Sequence, residues 1–113
     1  MKKKNIIQKQ TEFTEIIHKC PYVKNNYFVI YYRENNLFNR YGISIPKKTG
    51  KANIRNKIKR RIKNIIDLNE FSIQSSYDYV IIIRKRLIEL DYHQMEHQLI
   101  NLIEKIGERN EKK

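Results

Sequence analysis

Cysteine is nearly absent: Cys20 stands alone in 113 residues, so no internal disulfide and no zinc site built from thiolates can form. No apolar run approaches the length of a transmembrane helix. Lys2-Lys3-Lys4 resembles the basic start of a signal peptide, but Gln8, Lys9, Gln10 and Glu12 interrupt any apolar stretch behind it. The expectation is a cytoplasmic chain in a reducing compartment. Its length suits one domain over residues 1–113, too small for two cores. No internal repeat appears. Clustered carboxylates and Ser/His/Asp sets are also missing, so no catalytic residue and no metal ligand is assigned to the chain.

Acidic residues are the most unevenly missing group. Between Lys47 and Lys63 there is no Asp or Glu, while nine Lys or Arg occur. Residues 1–66 hold 17 basic and 3 acidic side chains, a balance of +14; residues 67–113 hold 7 and 9, a balance of −2. A net charge of +12 concentrated in this way favours one anion-binding surface, and nucleic acid is the commonest polyanion.

The 40% hydrophobic content supports a folded protein. Residues 1–10 are polar and basic and are expected to be extended or mobile. Thr11 can cap a helix over 12–20, with Phe13, Ile16, Ile17 and Cys20 on one face, ended by Pro21. A short extra strand is expected near Tyr22-Val23. Tyr27–Arg33 reads as a strand and Arg40–Ile45 as another, separated by the Glu34-Asn35-Asn36 turn and expected to pair as an antiparallel hairpin. After the Thr49-Gly50 loop, Ile54, Ile58, Ile62, Ile65 and Ile66 lie on one side of a helix over 52–66. Asp78–Arg84 is a continuous apolar run, the pattern of a strand buried on both faces. Asp91-x-x-Gln94 resembles a capping box ahead of a final helix with Tyr92, Met95, Leu99, Leu102, Ile103 and Ile106 on its stripe. Gly107 should stop that helix, and 108–113 should be mobile. The fold class is α/β (α+β): a two-layer sandwich with a small mixed sheet of about four strands, in the order α-β-β-β-α-β-α.

The basic helix is the leading site. A solvated face usually mixes signs because like charges at i, i+4 repel, yet Arg55, Lys59 and Lys63 repeat one sign at that spacing. Lys47, Lys48, Lys51, Asn56, Lys57, Arg60 and Arg61 complete the candidate RNA-binding set. On the strand 27–33 one face must be core, and the other can offer aromatic platforms for unpaired bases. His93-Gln94-Met95-Glu96-His97 fits the H-x-x-E-H metalloprotease pattern, but both histidines fall off the apolar stripe and no third ligand stands out. Gly42-x4-Lys47 lacks the second glycine and the Ser/Thr of a P-loop.

Gly42-Ile43-Ser44-Ile45-Pro46-Lys47-Lys48-Thr49-Gly50, followed by Ala52-Asn53-Ile54-Arg55-Asn56-Lys57-Ile58-Lys59-Arg60, resembles the protein subunit of bacterial ribonuclease P, as do Phe28-Val29-Ile30-Tyr31 and Asp78-Tyr79-Val80-Ile81-Ile82. The resemblance covers nearly the whole chain. It implies a left-handed crossover through the basic helix and removal of the 5′ leader from precursor tRNA. It further implies that catalysis resides in an RNA subunit with its bound Mg²⁺. That RNA and the leader-bearing precursor are the implied partners, with no DNA or membrane partner. The basic helix would bind the RNA, and a cleft with Phe13, Ile17, Tyr31, Lys59 and Lys63 would hold the leader. Three positions depart from the family pattern. Lys57 replaces an arginine and loses its bidentate fork, Ile17 stands where an aromatic is common, and Pro46 replaces serine. The alternatives are a structural RNA-binding protein of small ribosomal type, a helix-based DNA-binding module and a nuclease acting alone. The DNA-binding module lacks its two-helix turn, and the lone nuclease lacks a carboxylate cluster.

Overall fold

Burial on both faces requires the most apolar strand to sit inside the sheet, and that requirement sets the architecture. The computed structural model describes the backbone of residues 1–111 and the side chains through Glu108. The elements are α1 (Gln10–Lys19), β1 (Tyr22–Lys24), β2 (Phe28–Glu34), β3 (Arg40–Ser44), α2 (Ala52–Leu68), β4 (Tyr77–Ile83) and α3 (Tyr92–Glu111). Their order is the α-β-β-β-α-β-α expected. The sheet runs β1-β2-β4-β3.

The hairpin expected between β2 and β3 does not form. β4 lies between them, antiparallel to β2 with Tyr31 opposite Val80, and parallel to β3 with Gly42 opposite Val80. Every described residue of β4 except Ile82 is buried. A strand so apolar needs a neighbour on each side and cover on each face, and this need overrides the short β2–β3 connection.

One face of the sheet packs against α2 and α3. Phe28, Ile30 and Tyr32 of β2 and Tyr79, Ile81 and Ile83 of β4 join Ile58, Ile62, Ile65 and Ile66 of α2 and the Met95, Leu99, Leu102, Ile103 and Ile106 stripe of α3. Each buried Ile of α2 contributes about 1.5–3 kcal/mol as an upper estimate. The like-charge pairs Arg55–Lys59, Lys57–Arg61 and Lys59–Lys63 cost about 0.2–0.5 kcal/mol each. Packing therefore holds the helix against its own repulsion.

Ile54 is not part of that core. It is 42% exposed and rests on Gly50, where even a Cβ would come within 3.2 Å of it. Helix α1 begins at Gln10, without a side-chain cap and ahead of Thr11. Residues 1–10 are tied to the sheet: Ile7 is buried, Ile6 bridges Tyr41, and the Ile7 amide donates to the Tyr41 carbonyl at 2.9 Å. The capping box before α3 is reciprocal. The Gln94 amide donates to Asp91 Oδ1 at 2.8 Å, and the Asp91 amide donates to Gln94 Oε1 at 3.0 Å. Gly107 does not stop α3. No described glycine lies in the left-handed region, and the helix runs on to Glu111. Gly107 instead faces Gln74, 3.6 Å from where a Cβ would stand. Residues 112–113 of the expected mobile tail lie outside the described residues.

Candidate nucleic-acid interface

Strand alternation sends a second set of side chains to the opposite face of the sheet. The register places Tyr22, Tyr31, Val80 and Gly42 in one row across all four strands, and Lys24, Val29, Ile82 and Ser44 in the next. Helix α1 covers part of this face. Ile7, Ile16 and Val80 are buried there, with Phe13, Ile17, Cys20, Tyr31 and Ile82 half-buried around them. Gly42 makes the approach of α1 possible: a Cβ at that position would stand 2.8 Å from Phe13 Cε2. Glycine is required here for space, since a side chain would lift the ring off the sheet.

A charged clasp fixes α1 in place. Asp78 is wholly buried, and Arg40 forks onto it with Nε on Oδ1 and Nη2 on Oδ2, both at 2.8 Å. Arg33 Nε donates to Asp78 Oδ2 at 3.0 Å and Asn35 Nδ2 to Oδ1 at 2.7 Å. Arg40 Nη2 also reaches Glu12 Oε2 on α1 at 2.8 Å. Burial alone would raise the Asp78 carboxyl, but the hydrogen bonds from Arg40, Asn35 and Arg33 outweigh it and hold the group below the usual carboxylate range. The hydrogen bond from Arg40 likewise lowers Glu12.

The sequence-assigned cleft residues are brought together in two overlapping groups. Phe13, Ile17 and Tyr31 share the apolar cluster under α1. Phe13, Lys59 and Lys63 line a common cavity of about 200 Å³ with Ile7, Tyr41 and Gly42. Lys63 is half-buried, because Met1, Ile6 and Ile7 of the N-terminal segment fold over to build this cavity with it. Tyr41 stays a neutral phenol there: burial raises its pKa to about 12, so it sets no negative charge against an anionic ligand.

The basic set forms one open surface. Lys47, Lys48, Lys51, Asn56, Lys57, Lys59 and Arg60 are exposed, and Arg55, Arg61 and Lys63 are half-exposed. Among the described residues, none of these cations is within ion-pair distance of a carboxylate; Asp67 of the same helix instead meets the Met1 amine at 2.7 Å. The N-terminus of α2 carries no acidic residue and no side-chain cap, so the positive end of its macrodipole lies among Lys47, Lys48 and Lys51.

Pattern reading missed Arg84, Lys85 and Arg86. They are exposed, and their turn packs against the 3-10 turn Lys47–Thr49, which widens the surface. The signal was an R-K-R triplet directly after an apolar strand. His93 and His97 are exposed, and among the described residues no group of three or more His, Cys, Asp or Glu could hold a metal ion. No described helix is long and apolar enough to cross a membrane.

Comparison with known proteins points one way. The family model described as Ribonuclease P matches residues 1–107. The ribonuclease P protein component of Mycoplasma capricolum subsp. capricolum is 45% identical over 108 residues, covering 94% of this chain and 99% of the relative. The ribonuclease P protein of Thermotoga maritima superposes with a TM-score of 0.81 at 30% identity, covering 88% of this chain and 94% of that one. That of Staphylococcus aureus gives 0.82 at 32% identity, covering 91% and 94%.

Proposed function

Because the chain belongs to the ribonuclease P protein family, and is thus the protein subunit of that tRNA-processing endoribonuclease, we propose a division of labour between its two surfaces. The cations of α2 and the preceding loop dock on the RNA subunit. The face under α1 holds the single-stranded 5′ leader of precursor tRNA. The observation that carries this reading is the cavity shared by Phe13, Lys59 and Lys63, which joins an aromatic ring to the RNA-facing helix. A base can stack on the ring while its phosphates meet the lysines.

In this reading docking releases counterions, because cations with no internal partner replace those condensed on the RNA. Arg55 Nε, buried without a hydrogen-bond partner, is a donor that a phosphate would satisfy once the side chain swings outward. Lys57 contributes charge without a bidentate fork. The reacting groups belong to the RNA subunit, which also holds Mg²⁺. Glu12 and Asp78, carboxylates at the cleft, are engaged by Arg40 and Arg33, which supports RNA as the main source of hard oxygen ligands for that ion. The protein brings leader and catalytic RNA together and broadens the range of substrates processed.

The experiment adds the protein to its RNA subunit at low Mg²⁺ and follows leader removal. Cleavage should rise with protein. Phe13→Ala should weaken leader-bearing precursor more than mature tRNA. Equal weakening of the two would remove the cleft from the proposal. Leader removal independent of the protein would favour a structural RNA-binding role instead.

A further inference from the structure

Tyr22 is 46% exposed on the edge strand, an unusual place for a large aromatic, and its ring centroid lies 5.2 Å from that of Tyr31. The two residues are register partners, so Tyr22 continues the row that begins under Phe13 at Gly42 and crosses Val80 and Tyr31. At about 4.8 Å per strand, that row is about 14 Å long. Lys24 is exposed on the same face of β1, about 6.6 Å further along the strand at a rise of about 3.3 Å per residue. Beside β1 lies an open groove of about 800 Å³ lined by Tyr22 and Lys24 and, from α3, by Leu102, Lys105 and Glu108; the two lysines outnumber its one carboxylate.

We propose that Tyr22 and Lys24 form an outer subsite for the 5′ leader, in which Tyr22 stacks a base distal to the one at Phe13 and Lys24 meets the adjoining phosphate. The inference rests on the cleft reading above and extends it. An aromatic face and a cation one step apart are what a single-stranded RNA needs for sequence-tolerant binding. A cross-strand Tyr22–Tyr31 pair that served only to stabilise the sheet would leave leader binding unchanged when the melting temperature is held.

The test uses the assembled holoenzyme and a series of precursors with leaders lengthened one nucleotide at a time, with mature tRNA as reference. For long leaders, Tyr22→Ala should weaken binding about 10-fold, a typical loss for one stacked base. Tyr22→Phe should restore most of it. Lys24→Ala, which removes no packing, should weaken binding about 3-fold and lower the log–log salt slope by about 1. All of these losses should vanish for short leaders that still respond to Phe13→Ala. Losses equal for every leader length and for mature tRNA would overturn the subsite, as would full binding of long leaders by both Tyr22→Ala and Lys24→Ala. If Phe13→Ala also shows no leader dependence, the cleft reading itself fails, which is a separate result.

Discussion

Gly42→Ala tests the seating of α1 more sharply than any change to the helix. The added Cβ would stand 2.8 and 2.9 Å from two Phe13 ring carbons. Unstrained carbon contacts lie near 3.5–4.0 Å, so the ring must retreat by about 0.6–1.2 Å. Phe13 is half-buried and can give way at its outer edge, which places the cost at about 1–2 kcal/mol, within the usual range for overpacking. At about 4 °C per kcal/mol for a domain of this size, the melting temperature should fall by about 4–8 °C. Displacing the ring removes part of one stacked base, so affinity for leader-bearing precursor should drop about 5-fold while docking on the RNA subunit holds. A thermal melt, a binding titration and a double-mutant cycle read these outcomes. In a Phe13→Ala background the Gly42→Ala change should cost less than about 0.5 kcal/mol, because the clash has no partner. An unchanged melt, or the same loss with and without the Phe13 ring, would refute the argument that glycine is there to admit it.

Asp78→Ala leaves Arg33 and Arg40 without their shared carboxylate, and urea denaturation should register a loss of about 3–5 kcal/mol. Asp78 and Glu12 are both lowered from ordinary values of 3.8 and 4.5, so they bind protons more weakly folded than unfolded. Their stabilisation is full above about pH 5 and is lost as pH falls through the lowered values, which an acid titration of stability should show below about pH 4. Arg55→Ala and Lys59→Ala should each lower the log–log salt slope of RNA-subunit binding by about 1, read from titrations across salt concentrations. Asp91→Ala breaks the reciprocal cap of α3 and should cost about 1 kcal/mol in a thermal melt, with no change in RNA binding.

Local chemistry was legible in the sequence and long-range pairing was not. The capping box, the unneutralised run from Lys47 to Lys63 and the alternation of Phe28, Ile30 and Tyr32 against Val29 and Tyr31 all depend on neighbours a few residues away, and all appear where the pattern puts them. The β2–β3 hairpin does not form because the apolar run over 78–84, seated in the sheet as β4, takes a strand on either side, and a short connection does not outweigh that need. Ile54 obeyed the helical spacing and still missed the core, since the first turn of α2 stands over Gly50 instead of the sheet. Gly107 carries no stop because a glycine ends a helix only when the chain turns there. The anchoring of Ile6 and Ile7 was invisible, as two isoleucines among polar residues give no period to read.

The insertion of β4 between β2 and β3 dictates the order of assembly. During synthesis the cationic helix leaves the ribosome before the strand that unites its scaffold, and residues 28–34 and 40–44 have no common partner until 77–83 arrive. Contacts spanning that much chain close slowly, because a long loop must be immobilised before any of them is rewarded. The same late strand delivers Asp78 to its two arginines and Val80 to the floor beneath Phe13. A polypeptide interrupted before Tyr77 therefore possesses the charge to adhere to RNA and none of the relief that could hold a single strand.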